Sequence, residues 1–272
     1  MTKFLCATCG TQFPDSARAP ESCPICEDER QFVGWNGQEW TSLEELQSGG
    51  EYANEIRKEE KDLYSIITRP EFAIGQRAFL VQTPRGNVLW DCLPYIDRKT
   101  IDEVKKLGGI ALIAVSHPHY YSSMVEWSES FGDASIYLHE LDKKWVMNPS
   151  ENIKFWNGES TLTPIRGIKL ANLGGHFDGG TVLHWPGGAE GRGVILSGDI
   201  ITVAHDRRFA SFMYSYPNLI PLSERKINEI ARRVGKFKFD RLYGAFEGQK
   251  IKSNASEAVK KSAKRYVDHI RD

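Results

Sequence analysis

Residues 110–115 restrict the fold of this chain most, because all six are apolar and most are branched. Such a run is typical of a strand that is buried on both faces of a sheet. It leads directly into Ser116-His117-Pro118-His119. Two histidines spaced i and i+2 after a buried strand can turn both rings toward one point, and imidazole is a common ligand of zinc and iron. The pair is equally compatible with ordinary loop histidines, so this motif alone leaves both interpretations open.

A second metal-binding pattern lies near the N-terminus, where two C-x-x-C pairs are separated by a spacer of 13 residues. This spacing predicts a structural zinc ribbon with four thiolate ligands, Cys6, Cys9, Cys23 and Cys26. A rubredoxin-like iron centre for electron transfer is the alternative. We expect residues 1–50 to form this small module and its linker. Phe32, Val33, Trp35 and Trp40 are expected to pack it onto the rest of the chain.

Composition narrows the classes of partner. With a formal net charge of −1, the chain has no electrostatic preference for nucleic acid or for an anionic membrane. No apolar run approaches the ~20 residues that a membrane helix needs, and the first residues do not resemble a secretory signal. Paired cysteines suited to metal binding indicate a reducing compartment, so we expect a cytoplasmic protein that acts on a small molecule. The sequence does not indicate an oligomeric state.

The strongly charged residues 51–62 are interpreted as a solvated helix or linker, and we place the start of a second domain, residues 51–272, there. From Leu63 onward, short apolar runs alternate with amphipathic stretches. Strands are predicted at 64–68, 78–83, 87–91, 110–115, 135–138, 161–166, 168–173, 181–185 and 193–196, and helices at 100–107, 124–131, 140–146 and 256–271.

Two further motifs follow predicted strands. Gly174-Gly175-His176 begins a glycine-rich turn, and a histidine among glycines faces a cavity more often than a core. Ser197-Gly198-Asp199 closes the strand at 193–196. An aromatic segment, residues 206–209 and 211–218, comes shortly afterwards, and it is compatible either with core packing or with a substrate pocket near Asp199.

Together these motifs resemble the metallo-β-lactamase superfamily from about Leu63 to the C-terminus. In this resemblance Asp91 supports the ligand loop, His117 and His119 match the first two histidines of the H-x-H-x-D-H motif, and His176 matches the third metal histidine. Asp199 matches the aspartate that completes or bridges the metal site. The resemblance implies an α/β fold, an αββα sandwich that holds its metal between the sheets, beside the N-terminal four-cysteine module.

The chain departs from this family at the second metal. Tyr121 and Ser122 stand where the motif has aspartate and histidine, and Phe246 occupies the last histidine position. The resemblance therefore implies a single metal held by His117, His119, His176 and Asp199, and Glu247 is a candidate substitute ligand.

The sequence thus predicts a metal-dependent hydrolase with one catalytic zinc, which activates water toward an ester, lactone, thioester or similar small substrate. Asp199 and Tyr121 are the candidate catalytic residues. The candidate substrate-binding residues are Tyr120, His205, Tyr214, Tyr216 and Glu247. Two alternatives stay open, a non-haem iron oxygenase of the same fold and a binding protein without catalysis.

Overall fold

The computed structural model describes residues 1–271 and contains two stacked β-sheets, outer helices and an N-terminal module. The elements of the module are β1 (Thr2–Cys6), β2 (Gln12–Ser16), α1 (Pro24–Glu27), β3 (Trp40–Ser42) and α2 (Leu43–Gly49). Its three strands form one sheet in the order β2-β1-β3. No helix within residues 1–271 is long and apolar enough to cross a membrane.

The first large sheet has seven strands. In spatial order they are β10 (Ile153–Trp156), β9 (Ser135–His139), β8 (Leu112–Ala114), β7 (Val88–Trp90), β6 (Arg77–Val81), β5 (Leu63–Arg69) and β4 (Ala53–Glu60). Strands β4 to β7 pair antiparallel, and β7 to β10 pair parallel. The buried run predicted at 110–115 is therefore a central parallel strand, and its carboxyl end opens toward the histidine loop.

The second sheet has six strands. They are β11 (Ser160–Leu162), β12 (Lys169–Asn172), β13 (Thr181–Trp185), β14 (Val194–Leu196), β19 (Arg241–Tyr243) and β20 (Lys250–Ile251). Two small hairpins lie between β14 and β19, formed by β15 (Thr202–Val203) with β16 (Ala210–Ser211) and by β17 (Met213–Ser215) with β18 (Ile220–Pro221). The pair β14–β19 is parallel and the other pairs of this sheet are antiparallel.

Along the central strands, alternate side chains belong to two different layers of the core. In β6, Phe79 and Val81 belong to the core between the sheets, whereas Ala78 and Leu80 belong to the core under the outer helices. Successive strand residues point to opposite faces, so a strand buried on both faces must be apolar throughout. This arrangement requires one helical layer on each side, and the molecule has both.

The helical layers lie outside the two sheets. On the first sheet, α3 (Arg98–Lys106) and α4 (Met124–Ser130) bury Val104 and Trp127. On the second sheet, α6 (Glu224–Val234) and α7 (Ala255–Ile270) bury Ile230 and Val259. The remaining helical turns are α5 (Gly188–Gly191) and two 3₁₀ turns, Pro118–Tyr120 and Glu140–Trp145. The predicted αββα sandwich is confirmed.

The structure corrects three of the predictions. The charged segment 51–62 contains β4, an edge strand, rather than a helix or linker. Glu55, Arg57 and Lys58 face solvent and protect the sheet edge, whereas Glu59 and Glu60 pair with arginines of β6 and β19. The stretch 140–146 is a 3₁₀ turn and not an α-helix. Trp35 is fully exposed and does not pack the module onto the chain, and the edge-on contact of Trp40 with Phe13 lies within the module. The domain division after residue 50 stays a prediction.

Candidate metal centre

The loop that carries His117 and His119 is held by Asp91, the residue directly after β7. Asp91 Oδ1 accepts a hydrogen bond from the Ser116 backbone N–H at 2.7 Å, and Ser116 Oγ lies 2.8 Å from His117 Nδ1. Gly198 allows the neighbouring turn to approach, because a Cβ there would lie 2.4 Å from Ser116 Oγ and its φ is +50°. The hydrogen bonds from Asp91 to Ser116 and from Ser116 to His117 therefore orient the His117 ring and leave its Nε2 free.

Three histidine rings converge within this region. His117, His119 and His176 each present a ring nitrogen within 4.8 Å of the other two. His176 Nε2 lies 3.2 Å from His119 Nδ1, while His176 Nδ1 lies 2.7 Å from the carbonyl oxygen of Tyr214. The Tyr214 contact requires the proton on Nδ1, so the lone pair of His176 Nε2 faces the cluster.

The chemistry of the cluster fits a transition metal. Burial lowers the pKa of His117 and His119 well below the ordinary histidine value, and it lowers the pKa of His176 to about 4. All three rings are therefore neutral near pH 7, as ligands must be. The buried Nε2 of His117 has no hydrogen-bond partner in the described chain. An orphaned nitrogen beside two converging imidazoles is the donor set of a zinc or iron site.

Asp199 lies next to the histidines. Its Oδ2 is 4.0 Å from His117 Nε2 and accepts a hydrogen bond from the Tyr120 hydroxyl at 2.5 Å. Burial raises the pKa of Asp199 to about 7, and the Tyr120 hydrogen bond opposes that rise. The other oxygen, Oδ1, is buried and unpartnered among the residues described. Asp199 thus offers one free acceptor at the edge of the cluster, and Tyr120 holds the carboxylate in place.

Hydrogen-bonded and apolar side chains occupy the region of the second metal. Ser122 Oγ accepts a hydrogen bond from Gln76 Nε2 at 3.1 Å. Tyr121 is buried in the core under α4, and the structure does not bring it to the cavity beside the histidines. Phe246 lines that cavity with its ring. Within residues 1–271, the only two groups of at least three potential ligands are the histidine cluster and the four-cysteine cluster.

Two further predicted site residues lie away from the histidines. The Glu247 carboxylate is about half exposed and pairs with Arg57 and Arg69 across the end of the first sheet. His205 borders a separate surface groove with Lys250 and Lys252. The structure therefore brings neither residue to the cluster. For Glu247 the reason is the turn after Gly244, which leaves Phe246 partly buried and Glu247 exposed.

A cavity of about 300 Å³ opens onto the cluster. His119, His176 and Asp199 line it together with Tyr216, whose hydroxyl donates to the Asp199 carbonyl oxygen at 2.7 Å. The aromatic segment after Asp199 thus has a divided role, since Tyr216 faces the cavity and Phe212 is buried in the core of the second sheet. The ring of Tyr214 points elsewhere, and its hydroxyl donates to Glu29 of the N-terminal module.

The N-terminal module forms one wall of this cavity through Thr8, Gln31 and Phe32. Arg30 links the module to the third histidine. Its guanidinium lies 3.9 Å from the Phe177 ring centroid and donates to the His176 carbonyl oxygen at 3.3 Å. Asp28 pairs with the same guanidinium at 2.6 Å. The sequence does not indicate these contacts, because no local pattern marks the residues that make them.

The four-cysteine cluster lies behind this wall. Sγ of Cys6 is 3.5 Å from Sγ of Cys26, and Sγ of Cys9 is 3.6 Å from Sγ of Cys23. A tetrahedral zinc site with Zn–S bonds of about 2.3 Å has sulfur–sulfur edges of roughly 3.8 Å, so the spacing fits such a site. Burial raises the pKa of Cys9, and its ionisation is favoured only when a cation is bound.

Comparison with known proteins agrees with this architecture. No protein-family model matches the chain. The chain is 56% identical over 267 residues to YmaE of Bacillus subtilis (strain 168), described as an uncharacterized protein, covering 98% of this chain and 96% of YmaE. Among solved structures, VMB-1 is similar with a TM-score of 0.59 at 12% identity, covering 80% of this chain and 98% of that one.

A metallo-β-lactamase from Erythrobacter litoralis is similar with a TM-score of 0.58 at 14% identity, covering 78% of this chain and 96% of that chain. At such low identity these structures show the fold, and the identity to YmaE shows the family. The chain belongs to the same family as YmaE and has the metallo-β-lactamase fold.

Proposed function

We propose that this protein is a hydrolase that uses one zinc ion, held by His117, His119 and His176, to cleave a small ester, lactone or thioester. The observation that carries the proposal is the convergence of three neutral, buried imidazoles beside a carboxylate and a cavity. Zinc in such a site supplies Lewis acidity and lowers the pKa of water to about 7. In the four-cysteine cluster, zinc has a structural role, and reduced thiolates suit a cytoplasmic location.

The surrounding residues position the attacking water. Asp199 Oδ1, which has no protein partner in the described chain, accepts a hydrogen bond from this water and takes up its proton. Tyr120 occupies Oδ2, so the carboxylate has a single free acceptor. Tyr216 fixes the Asp199 backbone through its hydroxyl. A second metal is not required in this proposal, because Ser122 stands in place of one of its ligands and accepts a hydrogen bond from the Gln76 side-chain nitrogen.

The test is hydrolysis by the full chain of p-nitrophenyl butyrate, a γ-lactone and a butyryl thioester, with metal content measured on the same samples. His119→Ala should reduce activity by more than the about 10- to 100-fold typical of changes around metal ligands. His269→Ala is the matched control, because it removes an exposed histidine from α7 and should leave activity unchanged.

Two outcomes contradict the proposal. Activity that persists undiminished in His119→Ala would place the chemistry elsewhere. Iron at the main site together with oxygen consumption, and without hydrolysis, would favour an oxygenase.

A further inference from the structure

Gln31 is the one carboxamide that the N-terminal module contributes to the cavity wall. The residue is 6% exposed, and its Oε1 is buried without a hydrogen-bond partner in the described chain. A buried amide oxygen that lacks a partner is unfavourable by about 1–3 kcal/mol, so such groups are found where a ligand or water completes them. Gln31 shares this cavity with His119, His176 and Asp199.

The backbone around Gln31 is held firmly against the main domain. The Asn218 side-chain amide donates to the carbonyl oxygens of Glu29 and Gln31, at 2.9 Å in both cases. Ser215 Oγ donates to the Arg30 carbonyl oxygen at 3.1 Å. Three consecutive carbonyls of the module are thus fixed by the hairpin that carries Tyr216. A binding group on such a rigid support loses little entropy when a ligand binds.

The rest of the wall is mostly apolar. Phe32, Ile74 and Phe246 line the cavity, and no lysine or arginine within residues 1–271 does so. The wall therefore offers no cationic side chain to an anionic substrate. It suits a ligand that has an apolar body and one polar group able to form a hydrogen bond with Gln31. Mostly apolar walls with a few polar groups are usual in small-molecule sites.

We propose that Gln31 is a substrate-binding residue, whose carboxamide oxygen accepts a hydrogen bond from an N–H or O–H group of a mainly apolar acyl substrate. The four-cysteine module thereby acts as a wall of the active site that selects substrates, in addition to its structural role. This inference rests on the proposed hydrolase function for its acyl substrate, whereas the binding contact itself does not require turnover.

The test measures binding to the metal-loaded full chain by ligand-observed NMR. The two probes are N-butylacetamide and its N-methyl derivative, which keeps the carbonyl and loses the N–H donor. Gln31→Leu should weaken N-butylacetamide binding by roughly three- to tenfold, the effect of one hydrogen bond, and should change binding of the N-methyl derivative by less than about twofold. Gln47→Leu is the matched control, because it makes the same change on α2 of the same module, where the side chain donates to the Ile96 carbonyl oxygen.

Metal content and p-nitrophenyl butyrate hydrolysis are recorded on the same samples. Equal affinity of the wild type and Gln31→Leu for N-butylacetamide, with both metals retained, would overturn the inference. Failure of the wild type to bind this probe would overturn it as well. Gln31-dependent binding without any hydrolysis would refute the proposed function alone and leave the binding role standing.

Discussion

Asp142 provides a quantitative test of how the loop of the third histidine is held. Its Oδ1 accepts a hydrogen bond from the Gly179 backbone N–H at 2.9 Å, three residues after His176. Burial raises the pKa of Asp142 to about 7, the Gly179 hydrogen bond opposes the rise, and nearby Asp178 adds to it. The positive charges of Arg30 and Lys144 also oppose the rise. The Asp142 carboxyl group therefore keeps its proton up to a higher pH in the folded state than in the unfolded chain.

A raised folded-state pKa gives stability that is present below the unfolded pKa and is lost as the pH rises through the folded value. The unfolded pKa is about 3.9, so the rise of the Asp142 pKa to about 7 amounts to about 4 kcal/mol at most. About 1.5 kcal/mol of this is already lost at pH 5, which leaves a change of about 2–3 kcal/mol between pH 5 and pH 8. Asp142→Asn does not titrate, and its amide oxygen can still accept from Gly179.

The assay is urea unfolding of metal-loaded wild type and Asp142→Asn at pH 5, 6.5 and 8. The free energy of unfolding of the variant, relative to wild type, should rise by about 2–3 kcal/mol from pH 5 to pH 8. Asp102→Asn is the control, because its carboxylate lies on α3, away from this loop, and pairs only with the exposed Arg98 at 3.2 Å. A relative stability of Asp142→Asn that does not change with pH would refute the reasoning.

Three further predictions concern the surroundings of the site. Arg30→Ala removes the stacking on Phe177 and the hydrogen bond to the loop, and it should destabilise the protein by about 1–3 kcal/mol in urea unfolding while metal content stays at two per chain. Unchanged stability would show that this contact is not energetically important. Gly198→Ala places a Cβ against Ser116 Oγ at a residue whose φ is positive, so we expect metal analysis to show loss of the metal at the histidines. A variant that keeps this metal would count against the argument that the backbone is strained there. Glu247→Gln alters an exposed ion pair outside the cavity and should leave metal content and hydrolysis unchanged, so a lost metal would identify it as a ligand.

The candidate site residues could be predicted from sequence because each follows a short apolar strand. His117 and His119 come after β8, and Asp199 comes after β14, so local patterns place these side chains at strand ends. Most of the individual strands could be predicted for the same reason, whereas the stacking of two sheets is implied by the resemblance to the metallo-β-lactamase superfamily. Helix α6 is absent from the predicted helices, although Ile227, Ile230 and Val234 repeat with helical spacing and mark it.

The cavity wall could not be predicted in this way. Gln31 and Arg30 contact residues about 185 positions later in the chain, and their neighbours show no periodicity that points to such a contact. The prediction for the charged strand β4 is wrong because an edge strand can contain as many charged residues as a solvated helix. Long-range docking and edge position depend on the assembled fold, which a local pattern does not encode.

The most direct test of the central claim is the number of metal ions per chain in the wild type, residues 1–272, and in His119→Ala. We predict two in the wild type, one at the four-cysteine cluster and one at the histidines, and one in the variant. Two ions retained in His119→Ala, or a wild type that holds metal at the cysteines alone, would contradict this claim.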